Sequence, residues 1–574
     1  MPSETGLRSR VFASLHPGLG RVAAGLAGSA LVLAALGFTA APASLAAAHR
    51  SAPPKVGGIL NVVVFPQGSW SENYNPFSAS ALWGTNGFIY EPLLQFIQLT
   101  GQTKPWLAQS YRWSQGDRVL TMNLRRGVKY TNGTPFTSAD VVFTFNLMKK
   151  FPALDTGSVW TFLKSVKAEG AYTVVFTLTK PDISGLYYLG SVEPVPEGVW
   201  SKIKNPTTFA NADPVATGPF MAKSFTPQEY VLGRNPHYWQ TGKPYVNELA
   251  FPAYTSNTSV DLALAQGKVD WAALFAPNIQ KTYVATNPAA HHYFFPQGAP
   301  VVLYINNKLY PFNNPAVRQA LSMAINRQQV SKIGEYGYEK PANVLGIPPL
   351  QKSYVDSAVV KQANALSAYN PKKALAILKH LGFHKNAQGT LLTPKGKPFA
   401  FTMNVVSGYT DWVEDTQLMS SELGQLGIKV TVRPLQYGAY YSDMQHGTFD
   451  TSIGWSNSGP NPFYFFNFTM NPSFSAPIGG VASTNFDRFS SPAATRALNA
   501  YNSTANPAAE KAALYRVEKI WVDSVPALPL VWGAYWNEYS TQTFVGWPTP
   551  SNLYTDPGPN DASAVLTALN IHMR

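Results

Sequence analysis

Cysteine is absent from the 574-residue chain, which excludes disulfides, thiolate metal sites, a cysteine nucleophile and a lipid-modified N-terminal cysteine. Charge is also scarce. Charged residues make up 13% of the sequence, about half the usual ~25%, and the net charge of +13 comes from only 31 acids against 44 bases. The bases are thinly spread, in nothing denser than pairs such as Arg125-Arg126, Lys149-Lys150 and Lys372-Lys373. A nucleic-acid binder concentrates such residues on one face to neutralise phosphates, so no nucleic-acid partner is expected. A basic surface with few acids suits an exported protein in an acidic medium, because carboxylates forced to protonate are a source of acid lability.

Catalytic signatures are missing as well. No Ser has Gly two residues away on both sides, so there is no nucleophile elbow. The Gly-Lys pairs at 242, 267 and 396 are not followed by Ser or Thr, so there is no phosphate-binding P-loop. His380 and His384 are four apart, but Gly382 interrupts them, and surface histidines are the simpler reading. Glu414 and Asp415, adjacent on a helix, point in different directions and read as a solvated face. No catalytic residue, metal or cofactor is expected.

Long apolar runs are missing except at the start. Arg8, Arg10 and Arg21 precede an uncharged stretch from Val22 to Ala48 that ends in Ala46-Ala47-Ala48. Residues 1–50 therefore read as an export signal or, if uncleaved, a membrane anchor, followed by a linker at 51–56 with Pro53-Pro54.

The 45% apolar content and the length predict two or three folded domains. Ile59 to Phe65 and Tyr172 to Thr179 read as strands. Asn-Pro pairs open three helices, at Asn314-Pro315, Asn370-Pro371 and Asn506-Pro507, because Asn caps the free N–H groups and Pro fits the first helical position. A fourth helix spans Asp411 to Leu426, stops at Gly427 and leads into a strand, Ile428 to Val432, which is an α/β unit.

Aromatic residues are abundant: 14 Trp, 29 Tyr and 32 Phe. Many sit beside Gly, Asn, Ser and Pro, where they are candidate ligand platforms as well as core residues. The densest segment is Gly454 to Pro462 followed by Phe463-Tyr464-Phe465-Phe466. Trp70, Trp83, Trp412, Trp532 and Trp536 have similar surroundings.

Read in order, several motifs resemble the extracellular solute-binding protein family 5, the peptide, nickel and oligosaccharide receptors of ABC importers. They are Gly57-Gly58-Ile59-Leu60, Asn75-Pro76-Phe77, the run Leu124 to Val141 containing Asn132-Gly133-Thr134-Pro135-Phe136, Ala216 to Phe220, Asn235 to Trp239, Pro315 to Leu321 and Gly427 to Val430. The resemblance spans about residues 57 to 545. It implies an α/β, two-lobed periplasmic-binding-protein clamp with a hinge of two crossings, plus an extra α+β domain inserted in the first lobe. Lobe I is placed at 57–85, 216–300 and 526–574, the inserted domain at 86–215 and lobe II at 301–525. The resemblance further implies an exported, periplasmic or cell-surface monomer that hands its ligand to ABC transporter permease subunits.

Family members that capture a peptide by its free N-terminus carry an Asp after the Gly-Trp of lobe II, and Ser458 stands at the matching position. A hydroxyl cannot neutralise a buried ammonium, although Asp443 or Asp450 could substitute. Trp455, Ser456, Asn457 and Ser458 offer an aromatic face with neutral hydrogen-bonding groups, which suits a pyranose. The segment Val199 to Phe209 also resembles the oligosaccharide-binding branch. The expected ligand is a neutral oligomer, first an oligosaccharide and alternatively an oligopeptide. Nickel, with only His446 near the expected cleft, haem, an exported hydrolase and a surface adhesin are remoter readings. Candidate ligand-binding residues are Trp455, Ser456, Asn457, Ser458, Trp412, Tyr464, Trp70, Trp532 and Trp536.

Overall fold

The expected strand at Ile59 forms as Ile59–Val64 and is the spine of a seven-stranded sheet. It runs parallel to both of its neighbours, Glu248–Pro252 and Trp271–Ala273. The sheet continues outward through Glu229–Arg234 to Phe220–Thr226 on one side and through Glu538–Ser540 to His291–Tyr293 on the other. This computed structural model describes residues 53–457, 459–504 and 506–574. The expected signal or anchor and Ser458 lie outside the described residues.

The chain leaves the first sheet after Val64 and returns at Phe220. Between these points, Ala108–Ser114, Val119–Leu124, Thr173–Leu178 and Leu163–Ala168 form a four-stranded antiparallel sheet, in that order. Helix Ser138–Lys150 follows the motif at Asn132-Gly133-Thr134-Pro135, whose physical role is visible. Gly133 takes a positive φ of 84° in the turn. Thr137 then caps the helix by accepting from Ala139 N, while Asp140 accepts from Thr137 N at 2.9 Å, a capping box.

A five-stranded sheet builds the second lobe, in the order Lys429–Leu435, Ala400–Val406, Thr451–Gly454, Gln297–Ile305 and Ala527–Ala534. Helix Thr410–Gln425 connects the parallel strands Ala400–Val406 and Lys429–Leu435, and Gly427, at φ 88°, ends it. The chain crosses between the two sheets twice, between Tyr293 and Gln297 and between Ala534 and Glu538.

Those crossings correct the expected boundaries. Residues 527–534, assigned from sequence to the first lobe, pair antiparallel with Gln297–Ile305 and belong to the second sheet, as do residues 297–300. An apolar strand buried on both faces fits either sheet equally well, and only its partner decides. Each lobe has its own core. One gathers around Val302, Leu321, Met403 and Trp521. The other runs continuously from Leu60 and Trp271 into the inserted sheet at Leu120 and Phe176.

Candidate functional site

Side chains from both lobes meet where the first strand ends. Phe65, at a positive φ of 46°, projects from the first lobe to within 5.9 Å, ring to ring, of both Tyr409 and Trp455 of the second. A bulky residue in that backbone region is uncommon and costs energy that the surroundings must offset. Trp83, also from the first lobe, lies 6.3 Å from Phe65. Opposite them, Trp412 and Trp455 are 4.7 Å apart and Tyr409 touches both, at 5.5 and 5.9 Å. Tyr437 and Tyr440 pack behind Trp455 at 6.3 Å each.

Two polar atoms in this cluster are buried without a hydrogen-bond partner among the described residues: Trp83 Nε1 and Tyr409 Oη. Buried polar groups are nearly always paired, so each orphan calls for an explanation. Burial pushes the Tyr409 phenol well up, with Tyr437 and Tyr440 adding to it, so the group stays a neutral donor. The backbones of the two lobes also meet here. Gly408 O accepts from Asn257 N at 3.2 Å, and a Cβ on Gly408 would lie 2.7 Å from Thr255 O.

The remaining sequence candidates divide. Trp412 and Trp455 join the cluster. Ser456 adjoins it, but its hydroxyl is spent on Pro300 O, and Asn457 closes a local turn by accepting from Gly459 N at 2.7 Å. Trp70 lies in the first lobe's core, donating to Phe251 O at 2.9 Å and edge-on to Tyr230. Trp532 is buried on the strand Ala527–Ala534, opposite Pro300. Trp536 belongs to a separate cluster with Phe275 and Phe295, and Tyr464 packs on Tyr187 of the inserted domain at 4.7 Å. Phe65 and Tyr409 carried no distinguishing sequence signal: one follows a strand and the other precedes a helix.

The two carboxylates that could have replaced the missing Asp are engaged within their own lobe. Asp450 accepts from Thr402 N and Oγ1, both at 2.8 Å. Asp443 accepts from Asn404 Nδ2 at 3.0 Å and Thr448 Oγ1 at 2.9 Å.

Beside the aromatic cluster lies a set of buried acids. Asp411 and Asp415, one helical turn apart, face Glu335 and Glu339 of the segment before them, while Asp261 of the first lobe faces Asp411. Burial is the main cause that raises all five, with repulsion from neighbouring acids adding to it at Asp261, Glu335, Glu339 and Asp415, and Asp411 and Asp261 are each pushed up to about 7. Asn257 Nδ2 donates to Asp411 Oδ1 across the lobe boundary at 3.2 Å, and Ala534 N donates to Glu339 Oε1 at 2.6 Å. The solvated-face reading of the Glu414-Asp415 pair is thereby corrected: Glu414 is exposed but Asp415 is fully buried.

The chain matches the family model of bacterial extracellular solute-binding proteins, family 5 Middle, over residues 102–476. It is 29% identical over 558 residues to a putative ABC transporter peptide-binding protein of Brucella ovis, covering 92% of this chain and 95% of that protein. Among solved structures it is similar to the mannohexaose-bound periplasmic oligopeptide-binding protein of Thermotoga maritima. There the TM-score is 0.84 at 26% identity, covering 90% of this chain and 98% of that one. The AppA oligopeptide-binding protein of Bacillus subtilis, in complex with a nonapeptide, shares the fold with a TM-score of 0.78 at 20% identity, covering 91% and 100%.

Proposed function

The chain belongs to the bacterial extracellular solute-binding proteins, family 5, and from that premise we propose that it is the receptor of an ABC importer that captures a neutral oligosaccharide between its two lobes. The observation that carries this reading is the interlobe cluster. Phe65 and Trp83 face Tyr409, Trp412 and Trp455, with Trp83 Nε1 and Tyr409 Oη unpaired. Aromatic faces suit the C–H faces of pyranose rings, and neutral donors suit their hydroxyls. A peptide ammonium would need an ionised carboxylate to offset its desolvation; Asp443 and Asp450 are held elsewhere, and Asp411, beside the cluster, is pushed up to about 7 by burial and already accepts from Asn257 Nδ2.

Both lobes contribute to the cluster, so the ligand favours the closed arrangement by contacts that an open one lacks, and the two crossings absorb the motion. The receptor works outside the cytoplasm, delivering its ligand to permease subunits. Among the described residues no helix is long and apolar enough to cross a membrane.

Oligopeptide capture is the second reading, favoured by the peptide-binding name of the Brucella relative. A thermal-shift screen of the purified protein against neutral oligosaccharides and tri- to pentapeptides separates the two. A ligand at a hundredfold excess over Kd stabilises by about 2.7 kcal/mol. A shift with saccharides alone is the expected result; a shift with peptides alone replaces the first reading by the second.

A further inference from the structure

Residues 335–339 belong to the second lobe but lie on its boundary with the first, and their side chains part in two directions. Tyr336 and Tyr338 reach the first lobe and the hinge. Tyr336 is 5.8 Å from Phe275, ring to ring, and it holds a positive φ of 48°, which a bulky residue keeps only where its surroundings fix it. Tyr338 lies 5.7 Å from Phe295 and 6.2 Å from Trp536, one in each crossing, and its hydroxyl accepts from Ile279 N at 2.9 Å. Glu335 and Glu339 turn inward and are buried.

The inward side chains meet acids and no cation. Glu335 and Asp415 hydrogen-bond to each other, yet all four of their carboxyl oxygens lack any other donor among the described residues. Two ionised carboxylates have no hydrogen to share, so the pair exists only with a proton between them. Burial first, and then repulsion from neighbouring acids, pushes both members well up. Glu339, Asp411 and Glu414 face the pair. Asp261 of the first lobe faces Asp411 and Glu538, the Tyr409 phenol faces Asp411, and the Tyr338 phenol faces Glu538. Lys332 is exposed and Lys340 Nζ donates to Gly337 O at 2.7 Å, so neither neutralises the group. Among the described residues, no three of these carboxyls converge as a metal ion would require.

The far end of the segment is tied to the hinge. Glu339 Oε1 accepts from Ala534 N at 2.6 Å, where the second crossing begins, and Trp532 N donates to Lys340 O at 2.8 Å. Ser331 Oγ donates to Glu339 O at 2.6 Å. One short segment therefore joins the carboxyl pair, the hinge and the surface of the first lobe. Rotation of the lobes about the crossings has to pull Tyr336 and Tyr338 off the first lobe or lift the segment from helix Thr410–Gln425.

We propose that residues 335–339 form a strap whose seating requires the proton shared by Glu335 and Asp415, so that acid holds the lobes closed and a rise in pH loosens the strap, opens the lobes and releases the ligand. The inference rests on the lobe closure read above and not on the class of ligand. Closure and protonation favour each other reciprocally. The stabilisation is complete at low pH and is lost as the pair ionises.

Because the chain has no cysteine, Lys268→Cys in the first lobe and Lys361→Cys in the second, both at exposed positions, give the full chain two unique spin labels. Pulsed electron paramagnetic resonance then reads their separation at pH 5 and pH 9, with and without mannohexaose. In the ligand-free protein the expected result is one short distance at pH 5 and, at pH 9, a component longer by several ångström that holds at least half of the population. Glu335→Gln gives Asp415 a permanent N–H donor and should keep the short distance at both pH values; Glu335→Ala should show the longer component already at pH 5. A separation that ignores pH in the unmodified protein, or a pH response that Glu335→Gln retains, overturns the strap. If mannohexaose still shortens the distance in that event, lobe closure stands without the strap. If pH, mannohexaose and Glu335→Ala all leave it unmoved, the closure reading falls as well.

Discussion

In the proposed site, Tyr409 and Trp83 are the residues at which ligand binding and stability would pull in opposite directions. A buried hydroxyl or indole N–H without a partner costs the free protein desolvation energy, on the order of 1–3 kcal/mol. A ligand that pairs with it recovers that cost. Tyr409→Phe is therefore expected to raise the melting temperature of the ligand-free protein by about 1 °C or more for each kcal/mol recovered. The same change should lower ligand affinity about 3- to 10-fold, the worth of one hydrogen bond. Trp83→Phe should behave in the same way, since it keeps a ring beside Phe65 and removes only Nε1. Thermal unfolding combined with titration checks both; a higher melting temperature with unchanged affinity would make the orphan atoms a packing defect. Part of this aromatic cluster was legible in the sequence. Trp412 and Trp455 were visible as aromatics among turn-forming residues, but Trp70, Trp532 and Trp536 share those surroundings and are buried elsewhere. Neighbouring loop composition says that a ring is near a turn, not which way it points.

Elements whose ends are encoded by local chemistry were legible in the sequence, because a cap involves only a few adjacent residues. Asn314, Asn370 and Asn506 each accept from a backbone N–H in the first turn of the helix that follows, as their Asn-Pro pairs predicted. Asn506 accepts from both Ala508 and Ala509 N, at 3.0 and 3.1 Å. Asn506→Ala should cost about 1 kcal/mol, a drop of about 1 °C in a chain of this size, with ligand affinity unchanged. Long-range packing was not legible. Asp411 and Asp415, spaced four apart on a helix, are what an exposed polar face looks like from sequence. Their partners Glu335 and Glu339 lie more than 70 residues earlier, and nothing local announces the meeting. Gly334 marks how tight that packing is: a Cβ there would lie 1.8 Å from Asp415 Oδ1. Gly334→Ala is accordingly expected to lower the melting temperature by several degrees, measurable by differential scanning fluorimetry, whereas Gly438→Ala, where a Cβ meets nothing within 4 Å, should leave it unchanged.

For the whole molecule, a basic chain with few acids has placed a group of them where the two lobes join. Helix Thr410–Gln425 contributes Asp411 and Asp415, the segment Val330 to Glu339 contributes Glu335 and Glu339, and helix Asn257–Ala265 contributes Asp261. Glu538 of the first sheet, also pushed well up by burial, faces Asp261. The neighbouring cations lie outside this group. Lys332 is exposed and Lys340 donates to Gly337 O, and the ion pairs among the described residues involve none of the six acids. Asp261 and Asp411 titrate at about 7 in the folded protein, against about 4 in an unfolded chain. Between roughly pH 4 and 7 the native state therefore binds more protons than the unfolded one, so its stability rises as the pH falls. The contribution is complete below about pH 4 and is lost as the pH rises through 7. Asp487, Glu518 and Asp556, also pushed up to about 7 mainly by burial, act in the same direction. The melting temperature is expected to climb as the buffer is taken from pH 8 to pH 5, the reverse of a fold held by ionised carboxylate pairs. Replacing both Asp261 and Asp411 by Asn should raise the melting temperature at pH 8, leave it nearly unchanged at pH 5 and so flatten the profile. A profile that falls with acid, or a slope that the double variant does not alter, would mean that water or a cation reaches these carboxylates and that protons do not hold the lobe junction together.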